Sequence, residues 1–157
     1  MAAIAGGSDM KSDRIILMAE DDENDVVFLQ RAFAQAQISN PLQVVEDGQA
    51  AIDYLSGTGK YSDRTLYPLP GLVILDLKMP RKTGLEVLQW VRSQEKLRGL
   101  AIIMFTSSVH PAEIDTAYRM GANAFVTKPS GAPERTELAK MIKGFWLTFN
   151  EPAPFVS

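Results

Sequence analysis

The chain has 157 residues, 46% apolar and 22% charged, which fits one soluble domain with a sizeable core. It has no cysteine and a single histidine, His110, which excludes disulfides, thiolate chemistry and multi-histidine metal centres. Sixteen basic against nineteen acidic residues give a net charge of −3, which argues against a dedicated nucleic-acid binder; no apolar run reaches the ~18 residues of a membrane span, and with no signal-peptide pattern a cytoplasmic location is expected.

Residues 1–12 are small, polar and without periodicity, and read as a flexible N-terminal arm. From residue 13 to 149, short apolar runs alternate with stretches of helical spacing. The runs are Ile15–Ala19, Leu42–Val45, Leu72–Leu75, Ala101–Phe105 and Ala124–Val126. Most are continuous, as expected of strands covered on both faces of a parallel sheet. Helices are expected around Val26, Leu29 and Phe33, around Ala51 with Tyr54, and around Leu85, Leu88 and Val91. A fourth centres on Ile114 and Ala117, and a fifth runs through Leu138 and Ile142 with Phe145 and Phe149 on its core-facing stripe.

Local chemistry punctuates these elements. Thr83-Gly84-Leu85-Glu86 fits a capping box. Pro111 suits a first helical position, and Gly121 suits the residue just past a helix end. Gly57–Pro70 reads as a long loop, and residues 150–157 as an extended tail. Five successive β-then-α units predict a doubly wound α/β fold, a five-stranded parallel sheet carrying five helices.

In such a sheet, ligands bind beyond the carboxyl ends of the strands. Strand one ends at Glu20-Asp21-Asp22, strand three at Asp76, strand four at Thr106-Ser107-Ser108 and strand five at Thr127-Lys128-Pro129. Three carboxylates, a hydroxyl and an ammonium therefore converge on one rim. Two like charges ~4 Å apart repel by about 4 kcal/mol at an effective dielectric near 20. A hard divalent cation such as Mg2+ relieves that repulsion. Asp22 and Glu23 read instead as caps of the first helix, and Lys128 paired with Asp76 has a purely structural alternative as an ion pair.

The set Glu20-Asp21, Asp76 with Met79-Pro80 and Gly84, Thr106-Ser107, and Lys128-Pro129 resembles the receiver domain of two-component response regulators. The resemblance covers residues 13–149 and implies the flavodoxin-like strand order 2-1-3-4-5. It makes Asp76 the phosphoacceptor, fed by a histidine kinase or a small donor such as acetyl phosphate. Glu20, Asp21, Asp76 and the backbone carbonyl of Lys78 would hold Mg2+. Thr106 and Lys128 would grip the phosphoryl group, with Thr106 and Phe125 as the switch pair. Lys78 and Ser108 occupy positions that tune phosphoryl lifetime in this family. Catalysis would be confined to the chain's own phosphorylation and dephosphorylation, so it is not expected to be a conventional enzyme.

The long Gly57–Pro70 loop and Gly144-Phe145-Trp146-Leu147 resemble the regulators that partner bacterial phytochromes. In those relatives the face made by the fourth helix, fifth strand and fifth helix commonly forms a homodimer. Trp146, off the core-facing stripe, and Phe155 in the tail are the aromatic residues expected to mark such a surface. The stretch after Lys128 has room for one helix and a tail, so output is expected through protein contacts. His110 reads as a cap or surface residue.

Three other classes fit the residues less well. A phosphohydrolase of the haloacid-dehalogenase type would place its nucleophile after the first strand, with a second aspartate two residues on; Lys78 stands two after Asp76. A flavodoxin-like electron carrier needs a hydroxyl-rich phosphate loop where this chain has Glu20-Asp21-Asp22-Glu23. A receiver-like domain that never takes phosphate is opposed by the complete acidic set with its lysine.

Overall fold

The computed structural model describes residues 14–154. The expected arm over 1–12 and the aromatic Phe155 lie outside the described residues. Five strands, β1 (Ile16–Ala19), β2 (Leu42–Val45), β3 (Leu72–Leu75), β4 (Ile102–Thr106) and β5 (Ala124–Thr127), alternate with five helices. The helices are α1 (Glu23–Gln35), α2 (Gly48–Ser56), α3 (Gly84–Ser93), α4 (Pro111–Arg119) and α5 (Ala132–Gly144). The strands pair in parallel in the order β2-β1-β3-β4-β5. Among the described residues, no helix is long and apolar enough to cross a membrane.

The continuous apolar runs have a simple cause. Each central strand sends alternate residues into two separate cores. Leu17, Val73, Leu75, Ile102 and Met104 pack with Tyr54, Val87, Leu88, Val91 and Ala117 of α2, α3 and α4. Ile16, Met18, Ile74, Ile103 and Phe105 pack on the other face with Leu29, Phe33, Ala139 and Ile142 of α1 and α5. With both faces covered, no position on β1, β3 or β4 is left for a polar residue until the strand ends.

The expected caps form. Asp22 accepts from the amides of Asn24 and Asp25 at the start of α1. At the start of α3, Thr83 and Glu86 make the reciprocal capping box, with bonds of 3.2 and 3.1 Å. A Cβ on Gly84 would collide with the carbonyl oxygen of Asp76, so glycine lets the first turn of α3 lie against the end of β3. Pro111 opens α4, and Gly121 follows its end with φ at +104°.

The 57–70 stretch has one short turn of 3-10 helix (Gly59–Tyr61) and is otherwise loop. It is nonetheless well tied. Arg64 donates to the Tyr54 and Leu55 carbonyls at the end of α2, at 2.7 and 2.8 Å. Tyr61 packs tilted and Tyr67 edge-on against Tyr54, with ring centroids 5.1 and 5.9 Å away.

The C-terminal helix corrects the expected phase. After Gly144 the chain widens into a π-helical turn over Phe145–Phe149, closed by the Asn150 amide donating to the Phe145 carbonyl at 2.7 Å. Each residue then advances by a smaller angle than in an α-helix, and the apolar stripe rotates. Phe145 and Phe149, expected in the core, are 53% and 78% exposed. Trp146, expected off the stripe, is half-buried and packs with Leu147 on the α1–α5 core. Beyond it, Pro152–Pro154 line a cavity together with Glu95–Ala101, so this part of the tail folds back on the domain.

Candidate functional site

Strand register brings the tips together. Ala19 pairs with Leu75, so Glu20 and Asp76 leave adjacent strands side by side. The Asp76 amide donates to the Ala19 carbonyl, and the Glu20 amide to the Val45 carbonyl. Thr106 pairs with Thr127, and the next amide, Lys128, donates back to the Thr106 carbonyl at 2.8 Å. Each functional side chain therefore stands on backbone fixed by the sheet.

Lys128 is the centre of the cluster. Its Nζ lies 2.7 Å from Glu20 Oε1, 2.8 Å from Asp25 Oδ2 and 3.0 Å from Asp76 Oδ2. Glu20, Asp76 and Thr106 are buried, whereas Asp21 is exposed at the rim. Oxygens of Glu20, Asp21 and Asp76 all lie within 4.8 Å of one another. Such an all-oxygen, all-anionic donor set fits a hard divalent cation with room for further oxygens.

The electrostatics record the crowding. Burial, then the hydrogen bond and charge of neighbouring Asp76, push the Glu20 carboxyl up to about 8 against the opposing pull of Lys128. For Lys128, burial alone would lower the ammonium. Its hydrogen bonds donated to Asp25 and Glu20 and the charge of Asp76 outweigh it and hold the group above its ordinary value. One cation is thus shared by three acids, and the crowding favours the protonated form of Glu20 until a second cation arrives.

The remaining candidates fall as follows. Thr106 Oγ1 accepts from the Ser108 amide at 3.3 Å. Phe125 is half-buried against the α2–α3–α4 core, and its amide donates to the Tyr118 hydroxyl at 3.1 Å. Lys78 lies in the connection between β3 and α3 with its side chain exposed. Trp146 is far from this rim: it borders Arg14, Ile15 and Gly71 at the opposite end of the strands. His110 precedes α4, exposed and making no side-chain cap. Asp25 was missed in the sequence. It stands in the first turn of α1, and only the phase of that helix turns it to Lys128. Its signal was its place one turn after Asp21, directly past a strand end.

Sequence comparison decides the family: residues 16–143 match the response regulator receiver domain. The chain belongs to that family. The receiver is 31% identical over 144 residues to "Probable methanogenesis regulatory protein FilR2" of Methanothrix harundinacea, covering 89% of this chain and 88% of that protein. Among solved structures it resembles response regulator RPA3017 "in red light signaling of R. palustris", with a TM-score of 0.85 and 34% identity over 90% of this chain and 99% of that one. It also resembles the Mn2+-bound form of response regulator Rcp1, a Synechocystis protein, with a TM-score of 0.81 and 27% identity at the same coverage.

Proposed function

We propose that this receiver acts as a single-domain response regulator, phosphorylated on Asp76 by a histidine kinase in a Mg2+-dependent reaction. The observation that carries this reading is the meeting of Glu20, Asp21 and Asp76 at adjacent strand tips, with Lys128 bonded to two of them. A carboxylate oxygen of Asp76 attacks the phosphorus of a phosphohistidine. The new P–O bond forms as the P–N bond breaks, and the imidazole nitrogen leaves with the electron pair. Glu20, Asp21, Asp76 and the Lys78 carbonyl are the residues to hold Mg2+. A cation there neutralises charge spread over the phosphoryl oxygens. Lys128 already donates to Asp76 and is placed to follow the charge onto a phosphoryl oxygen, while Thr106 donates to another.

The signal is a change in protein contacts rather than turnover of an external substrate. Attachment adds charge and strong acceptors at Asp76, drawing Thr106 inward and letting Phe125 reposition. The kinase is proposed to be of the bacteriophytochrome type, in the cytoplasm, supported by the likeness to a red-light regulator. A homodimer through the α4–β5–α5 face is part of the same reading. Half-buried Trp146 is a poor anchor for it; Met141, Phe145 and Phe149, 66%, 53% and 78% exposed, offer the apolar surface on α5 and its extension.

The test is intact mass after incubation with acetyl phosphate and Mg2+. One phosphoryl group is expected, absent with EDTA and absent in Asp76→Asn. A gain that survives this substitution would place the acceptor elsewhere.

A further inference from the structure

The β4–α4 connection holds a hydrogen-bond chain that the phosphoryl chemistry above does not use. Thr106 Oγ1 accepts from the Ser108 amide. The Ser108 hydroxyl in turn donates to Oε1 of Glu113, a half-buried residue in the first turn of α4. Ser108 is thereby fixed at both ends, its amide to the threonine that closes β4 and its side chain to the helix. The acceptor is a carboxylate, which makes the second bond stronger than one between neutral groups. Further along α4, Tyr118 accepts from the Phe125 amide. One helix thus touches the surroundings of both proposed switch residues.

Turning Thr106 toward a phosphoryl oxygen takes its Oγ1 away from the Ser108 amide. Ser108 cannot follow without giving up Glu113. An interaction made in one arrangement and lost in the other shifts the equilibrium by its differential free energy, and so changes the affinity of a ligand that favours the second arrangement.

We propose that Glu113, acting through Ser108, is a positioning residue that latches Thr106 in its resting arrangement and weakens the hold on a phosphoryl group at Asp76. The proposal rests on the reading of Asp76 as phosphoacceptor. Removing the latch therefore tightens binding, which a generally destabilising substitution does not do.

The experiment titrates the full chain with beryllofluoride, a phosphoryl mimic, in Mg2+ and follows binding by fluorine NMR. Glu113→Ala and Ser108→Ala are expected to bind roughly tenfold tighter than the native chain, the effect of losing one differential hydrogen bond to a charged group. Glu113→Gln keeps an oxygen that accepts from Ser108 but loses the charge, and should fall between native and Glu113→Ala, about threefold tighter than native. If Glu113→Gln binds as tightly as Glu113→Ala while Ser108→Ala stays native, the effect is one of charge and the latch is overturned. Unchanged affinity in both Ser108→Ala and Glu113→Ala overturns it as well. Should Glu113→Ala fail to fold, Ser108→Ala decides by the same criterion. If the native chain itself binds no more beryllofluoride than Asp76→Asn, the phosphoacceptor reading fails, and the latch with it.

Discussion

The two ends of the sheet differ in how firmly their side chains are placed. At the carboxyl ends, Glu20, Asp76, Thr106 and Lys128 sit on backbone hydrogen-bonded to neighbouring strands. At the opposite end, Trp146 and Leu147 are placed by a helix that changes pitch at Gly144. Strands have a fixed two-residue period and a shared register, so the residue that ends one strand must lie near the residue that ends the next. A helix has no such external ruler, and one widened turn re-aims every later side chain.

Lys128→Ala should break the carboxyl-end arrangement most severely. Without metal, Glu20, Asp25 and Asp76 lose the cation they share. Leaving buried charge unpaired costs about 3–5 kcal/mol, and urea unfolding in EDTA should show a loss of that order. Mg2+ should restore more stability to the variant than it adds to the native chain, because it meets the same uncompensated acids. Equal stability of the two chains in EDTA would mean that the ammonium is incidental to the cluster.

The opposite end predicts a smaller, paired effect. Trp146→Ala removes a half-buried ring from the α1–α5 core and should cost about 2 kcal/mol, below the full core range because the site is only partly covered. Phe149→Ala, at a residue 78% exposed, should fall within about 0.5 kcal/mol of native. The reverse ranking by chemical denaturation would put the extension in regular α-helical phase.

What could be read from the residues follows the same division. Alternation of apolar runs and helical spacing gave the strands and helices, the receiver resemblance implied their order in the sheet, and the polar residues ending strands one, three, four and five named the cluster. Asp25 had only its place after a strand end to suggest it, because its role depends on how α1 is rotated against β5, a tertiary relation across more than a hundred residues. The Ser108–Glu113 bond was hidden for a related reason: nothing in their spacing says that the loop curls back on the helix. Phe145 and Phe149 were assigned to the core because a 3.6-residue period was continued past Gly144, where the backbone abandons it.

Protonation sharpens the account of the carboxyl end further. Burial and the Asp76 carboxyl raise Glu20 in the folded, metal-free chain to about 8, above its ordinary value of 4.5. Between those two values the native state binds a proton that the unfolded state has released. The resulting stabilisation is fully present below pH 4.5 and is lost as pH rises through about 8. A divalent cation needs the carboxylate form, so Mg2+ must displace that proton. Its apparent affinity should then climb with pH toward about 8, by at most ~tenfold per pH unit, and level off above it. Calorimetric titration of Mg2+ in two buffers of different ionisation heat should count up to one proton released at pH 7, and fewer in Glu20→Gln. An affinity that does not change from pH 6 to 8, with no proton released, would mean that Lys128 alone keeps Glu20 ionised and that the crowding is already balanced before any metal arrives.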